Sequence, residues 1–448
     1  METPALEEAD IIGKVDHRLI AGLLLALIIF TACGTAVTVL TSLTGLALCM
    51  MGLLWPESSA DLRVAILLAI CSGTGLLSAA VTAGDPFQGY VYGQSVCPVL
   101  ALLAALPDVK EREHLRGISI AWSAVIAAAD IAQFLRDTAA GVPGRTGGIF
   151  GNANVMGIFL VISWFALADF RERQDPKSRF RLLLYAEPLF LYAAALTLSM
   201  GSYAAMAAGI VVATVCGRGE KLLLTLAKAV MGTGSGLLIY IAAVQADAGW
   251  LCAAAVMYMA VQAALWGRLE RFLSLHRKTA AFISGTGILV ASSAAVLRPN
   301  AAATFAERLE MMENGLHYIA SSPIWGTGPL QWHLLNMFDP KCFNTWYIHN
   351  MFIHVGVELG VCAMFLLALA AVLCLAKKRP PQLRAGLAAL FIHYVLDVGF
   401  AYTGLTAAAV LLLGTSDEGK RLWSTVAARL FYTAFAVLFV CGLLRHIR

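Results

Sequence analysis

The chain has 448 residues, 59% of them hydrophobic and only 13% charged, where a soluble domain carries roughly 25% charged residues. That composition excludes an ordinary soluble protein. The apolar residues recur in runs of about twenty, each able to cross a hydrocarbon core of roughly 30 Å, and not in the alternating units of about ten residues that mark a membrane β-barrel. The net charge of +4 is small, so where the basic residues sit matters more than their sum, and no nucleic-acid partner is expected.

After a short tail (1–17), apolar spans are predicted at roughly 18–33, 35–55, 62–83, 89–106 and 117–136. A polar connector with Arg136, Asp137, Gly141, Pro143, Gly144 and Arg145 follows, and then spans at roughly 148–169, 182–199, 201–216, 222–246, 249–266 and 279–297. Beyond a long polar interval come 349–376, 385–414 and 423–445. The first run lacks a small-residue cleavage pattern and reads as a retained span. The stretch 385–414 is too long for one straight span and short for two. One tilted or broken span gives about fourteen in all and a cytoplasmic C-terminus, and is preferred; two give fifteen and the opposite C-terminus. The predicted fold class is therefore all-α: a polytopic transmembrane helical bundle divided into a cytoplasmic tail (1–17), N-terminal helices (18–297), an outer loop (298–348) and C-terminal helices (349–448).

Basic residues orient such a bundle. KEREHLR (110–116), RERQDPKSRFR (171–181), GRGEK (217–221), RLERFLSLHRK (268–278) and KKRPPQLR (377–384) all fall on one side when the spans are counted alternately from a cytoplasmic N-terminus. The interval 298–348 and the connector around Gly144 then lie outside. Most of the ten cysteines sit within apolar runs, and neither a disulfide framework nor a zinc spacing is present.

The outer interval is patterned. Phe305, Leu309, Met312, Leu316 and Ile319 recur at helical spacing, Pro323 ends the stripe, and a WGTGP turn follows. An amphipathic helix with this stripe on the mouth of the bundle is predicted, with Arg308 beside its buried edge. A guanidinium grips phosphate through a rigid fork, although spacing alone favours an exposed arginine that pairs with Glu307 or Glu310 or touches lipid headgroups. His349 and Asn350 open the next span. An imidazole there can take a proton from a sugar hydroxyl and Asn350 can orient a substrate or cap the helix; the plain alternative is an interfacial histidine bonded to backbone. Ionisable groups within spans are functional candidates by default. They are His354 with Glu358, His393 with Asp397, and Asp130 with Gln133, each also readable as a helix-locking group. The run GGIFGNANVMG (147–157) permits close helix approach or a ligand near the backbone around Asn152 and Asn154. No phosphate-binding glycine loop or metal-ligand spacing occurs.

These residues carry a family resemblance. Phe150-Gly151-Asn152-Ala153-Asn154 resembles the FGNPN motif of the bacterial O-antigen ligase and O-antigen polymerase family, with Ala153 in place of proline. LTLSMGSYAAMAAG (196–209) resembles its LTxSRGAWLALxxG motif, with Met200 in place of arginine. RLEMMENGLHYIASSPIWGTGP followed by IHNMFIHVGVELGV resembles its outer-loop helix, PxxGxG turn and HNxxL…ExG segment, with Met312 where tryptophan is common. The resemblance spans roughly 140–376. It implies a GT-C-like bundle in the inner (plasma) membrane, with a cavity open to the periplasmic or extracellular face. It also implies a glycosyltransferase that moves a glycan from an undecaprenyl-diphosphate-linked donor to a lipid or glycan acceptor, inverting the anomeric centre without metal or cofactor. By position, Arg308 would hold the diphosphate, His349 would be the base or position the acceptor, and Asn350 would support it. Gly326 and Gly328 would turn the loop over the site, and Arg145 and Arg298 are the outward-facing candidates to supply the guanidinium missing at Met200. The other readings of the chain are a transporter of lipid-linked glycans and a non-catalytic scaffold of an envelope polysaccharide system.

Overall fold

The structure is a computed structural model that describes residues 38–55, 62–84, 109–173, 185–217, 221–245, 249–297, 301–414 and 424–447, with Leu183 and a few positions before residue 29. Most of the first predicted span, the span at 89–106, the N-terminal tail and Arg298 lie outside the described residues. Every regular element among the described residues is helical. In chain order these are α1 (Thr38–Leu54), α2 (Leu62–Ala83), α3 (Val109–Ala139), α4 (Ala153–Arg173), α5 (Ala186–Leu196), α6 (Met200–Cys216), α7 (Leu222–Gln245) and α8 (Gly249–Leu275). They continue as α9 (Arg277–Leu297), α10 (Ala301–Ser321), α11 (Gln331–Phe338), α12 (Met351–Leu359), α13 (Val361–Ala376), α14 (Pro381–Leu396), α15 (Thr403–Leu413) and α16 (Thr425–Ile447).

Among the described residues, five helices (within α2, α3, α4, α7 and α16) are long and apolar enough to cross a membrane, and α1, α5, α6, α13 and α15 are apolar but shorter. The chain is a multi-pass membrane protein. Several starts are fixed by side chains that satisfy the orphan amides of a first turn. Asn152 Oδ1 accepts from the Asn154 and Val155 N–H groups at 2.9 and 3.3 Å, and Asn350 Oδ1 accepts from Phe352 and Ile353 at 3.0 and 3.1 Å. α4 is the centre of the bundle, buried along nearly its whole length and packed by α3, α5, α6, α14 and α15.

The basic segments meet at one end. Arg116 of α3 pairs with Asp169 of α4 at 3.4 Å and donates to the Leu412 and Gly414 carbonyls at 3.0 and 2.6 Å. Arg173 pairs with Glu113 at 3.2 Å, Lys221 with Glu172 at 2.7 Å, and Arg171 with Glu270 at 2.5 Å. Arg384 reaches Cys216 Sγ at 3.3 Å. α4 carries Arg171 and Arg173 at this end and Asn154 at the other, and its 21 residues rise about 32 Å at 1.5 Å each, close to the thickness of a hydrocarbon core.

Three expectations change. The run 349–376 is not one helix: Gly360, at φ +90°, separates α12 from α13, and a side chain there would strike the Ile324 carbonyl. The stretch 385–414 is not one tilted span. α15 returns beside α14, so that Leu413 packs on Gly386 and its carbonyl accepts from Arg379 at 3.1 Å, while Arg116 holds Gly414 at the basic end. The reversal occurs at Asp397, whose Oδ1 caps the following turn through the Val398 N–H at 2.8 Å. Finally, the expected stripe of α10 is packed only in part. Met312 and Ile319 pack inward as expected and Phe305, Leu309 and Leu316 are exposed, while Arg308, Met311 and Gly315 also turn inward. Gly315 decides this, because the missing side chain lets α10 approach Ile348, Ile353 and Val357 closely.

Candidate active site

α10 and α12 run parallel, with Gly315 against Ile353 and Ile319 against Gly356. That pairing brings Arg308 to the start of α12 and the turn after Pro323 to its end. Arg308 donates to the Leu396 carbonyl at 2.6 Å and to Asp397 Oδ2 at 3.0 Å. The same carboxylate oxygen accepts from Asn154 Nδ2 at 2.9 Å. Asn154 Oδ1 in turn accepts from Arg145 at 2.8 Å, and Arg145 also donates to the Thr197 carbonyl at 2.9 Å. Asp397 thus joins the polar interval 298–348, α4 and the connector before α4 at the end of the bundle opposite the basic segments.

His349 lies in the loop just before α12 and is half-buried. Burial pushes its imidazole below the ordinary histidine value; Asp397 opposes that shift and Arg308 adds to it. The neutral ring, the form able to accept a proton, is therefore favoured at pH 7. His393, fully buried one turn before Asp397, faces the same carboxylate. α6 closes the corner: a side chain at Gly201 would lie 3.7 Å from both Asp397 and His393, so the helix start at Met200 abuts the cluster. Asn152 caps α4 and meets the Tyr402 hydroxyl. Asn350 caps α12.

Gly326 and Gly328, at φ +69° and +105°, are placed elsewhere. Their turn seats on the far end of α12, where Thr327 N–H bonds the Val357 carbonyl at 2.7 Å and Gly328 N–H the Glu358 carbonyl at 3.0 Å. The loop beyond α11 is tied to α10 through Asp339, which accepts from Asn314 and Tyr318 at 3.0 Å each and from the Lys341 N–H at 2.9 Å. The Lys341 amide is the main group holding that carboxyl below its usual range. Among the described residues no trio of His, Cys, Asp or Glu is grouped to hold a metal ion.

Residues 188–368 match the model of the family described as O-antigen ligase. That segment is similar to the O-antigen ligase family. No curated protein gives a significant match to the chain. The matched segment contains Met200, Arg308, Gly326, Gly328, His349 and Asn350. The fold brings it Arg145, Asn152, Asn154 and Asp397 from outside its bounds. Asp397 stood out in the sequence only as an ionisable residue inside a span beside His393. Its partners Asn154 and Arg308 lie 243 and 89 positions away, a separation no local pattern reports.

The arrangement suits anion chemistry. Arg308 and Arg145 approach one buried carboxylate directly and through Asn154, and two histidines stand beside it. Two of the five N–H donors of the Arg308 guanidinium go to Leu396 and Asp397. They lock the fork in one orientation while leaving donors for an oxyanion.

Proposed function

We propose that the chain transfers a glycan from an undecaprenyl-diphosphate-linked donor to an acceptor hydroxyl at the periplasmic or extracellular face of the plasma membrane. In this reading the acceptor oxygen attacks the anomeric carbon while His349 takes its proton. The bond from that carbon to the diphosphate oxygen breaks, and the diphosphate leaves with the electron pair. Attack opposite the leaving group inverts the anomeric centre. Arg308 stabilises the charge growing on the leaving phosphate, a preorganised electrostatic role commonly worth about a hundredfold or more in rate. Asp397 holds Arg308 and, through Asn154, Arg145, which supplies a second guanidinium at the corner where Met200 stands. Asn350 fixes the first turn of α12 and with it the placement of His349.

The observation that carries the reading is the convergence of Arg308 and His349 on Asp397 at the end of α4 opposite the basic segments. Residues 298–348 then form the outer loop over the site, between the N-terminal helices (18–297) and the C-terminal ones (349–448). The test is glycan assembly in a host lacking its own ligase and polymerase, at matched membrane levels of protein. Wild type is expected to restore glycan, and Arg308→Ala and His349→Ala to lose it. A product of one preassembled chain joined to acceptor identifies a ligase, and a ladder of growing chains a polymerase. Glycan restored equally by both variants would overturn the assignment.

A further inference from the structure

α12 carries two ionisable side chains the transfer step does not use. His354 and Glu358, one turn apart, are both without solvent exposure. Taking such groups out of water is costly, and a helix packed only for stability does as well or better with apolar residues of similar volume. Their geometry has a direction. His354 Nδ1 accepts the Ile348 N–H at 3.3 Å. A ring nitrogen that accepts a backbone N–H carries no proton, so the proton of the neutral ring sits on Nε2. Nε2 lies 3.4 Å from Glu358 Oε1, an ion-pair distance without the alignment of a hydrogen bond, and neither atom has a hydrogen-bond partner among the described residues. The amide that His354 accepts belongs to the residue immediately before His349.

The imidazole also touches both sides of the site's floor. The rings of Tyr347, from the loop that leads to His349, and Phe400, three residues after Asp397, lie 5.4 and 5.5 Å from it. Glu358 is anchored in turn: its own carbonyl accepts the Gly328 N–H at 3.0 Å and the Ser78 hydroxyl at 2.9 Å. A continuous line of contacts therefore runs from the glycine turn through Glu358 and His354 to the Ile348 amide beside His349 and to Phe400 in the turn after Asp397.

We propose that His354 and Glu358 are positioning residues for the transfer: the carboxylate fixes the tautomer and angle of the imidazole, and the imidazole holds the His349 loop against the Asp397 turn. The proposal rests on His349 acting in the step above. It also gives the PxxGxG turn a part, as the anchor of this line at the far end of α12.

The experiment uses the full chain purified in detergent, with transfer kinetics from an undecaprenyl-diphosphate-linked glycan, binding of undecaprenyl diphosphate itself, and thermal unfolding. Glu358→Leu is expected to fold and to bind undecaprenyl diphosphate as wild type does, with KM for the donor unchanged and kcat lowered about ten- to a hundredfold, the usual scale for supporting residues one step behind a catalytic group. Glu358→Gln keeps an acceptor for Nε2–H and is expected to stay within about threefold of wild type, well short of that loss. If the leucine variant does not fold, His354→Gln against His354→Leu makes the same contrast, since the amide oxygen of glutamine can accept from Ile348. Wild-type kcat in a folded leucine variant overturns the proposal, and so does a loss shared equally by the glutamine variant. His349→Ala in the same assay separates the two levels. If it transfers at the wild-type rate, the reading of the site fails; if it alone is slow, only the positioning role fails.

Discussion

At the basic end of the bundle, Glu187 is buried yet fully matched. It pairs with Lys228 and Arg171 at 2.6 Å each and accepts from the indoles of Trp164 and Trp266 at 3.2 and 3.0 Å. Glu270 backs the same two cations, and Arg116 is tied between Asp169 and two helix-end carbonyls. At the other end the buried carboxylate of Asp397 faces Arg308, His393 and His349, with Asn154 linking it to Arg145. The first arrangement closes its charges within the protein and fastens helices α3, α4, α5, α7 and α8. The second gathers more positive and proton-binding groups than its own carboxylate can match, which suits a visiting anion. The difference separates buried charge that holds a fold from buried charge that awaits a substrate.

The comparison can be broken most sharply by substituting one group at each end. His349→Ala is expected to lower transfer by about a hundredfold or more, the range for removing a general base, with unfolding temperature unchanged. Glu187→Ala is expected to do the reverse. Leaving Lys228 and Arg171 without their shared partner costs on the order of 3–5 kcal/mol, so folded yield falls and activity per folded molecule does not. Thermal unfolding and turnover measured on the same preparations check both, and matching losses in the two variants would erase the distinction. Arg145→Ala sharpens the picture of the corner near Met200. A loss of about ten- to a hundredfold is expected, since one charge-assisted contact contributes about 1.5–3 kcal/mol, and Met200→Arg in the same chain is expected to recover most of it. The smallest effect is with pH. Because burial lowers the His349 pKa below its ordinary 6.5, the reactive neutral form persists at neutral pH. The kcat/KM profile is expected to be flat there and to fall on the acid side with a midpoint below 6.5; a fall centred above that value would remove His349 as the base.

The helical bundle was legible because hydropathy reports it directly: the predicted spans at 62–83, 201–216 and 222–246 coincide with α2, α6 and α7 to within a residue or two. Breaks inside continuous apolar runs were not. Gly360 looks like any other glycine of a spanning helix until the Ile324 carbonyl is seen against it, and the reversal at Asp397 is marked only by two polar residues. The packed face of α10 was legible only in part: Met312 and Ile319 of its apolar stripe pack inward, and Phe305, Leu309 and Leu316 do not. In a membrane protein apolar residues also face outward, and the small residue Gly315 chose the contact instead. Of the site, Arg308, His349 and Asn154 were legible as motif residues. Their meeting on Asp397 was not, because it is made by long-range packing of α4, α10 and α14.

The account turns on a division of labour between Arg308, which holds the diphosphate, and His349, which takes the proton. The most direct measurement is undecaprenyl diphosphate binding set beside single-turnover transfer for wild type, Arg308→Ala and His349→Ala in the purified chain. The account expects Arg308→Ala to lose both binding and transfer, and His349→Ala to bind as wild type does while transfer fails. If His349→Ala transferred normally, or if Arg308→Ala bound undecaprenyl diphosphate and transferred as wild type does, the cluster on Asp397 would not be the catalytic centre.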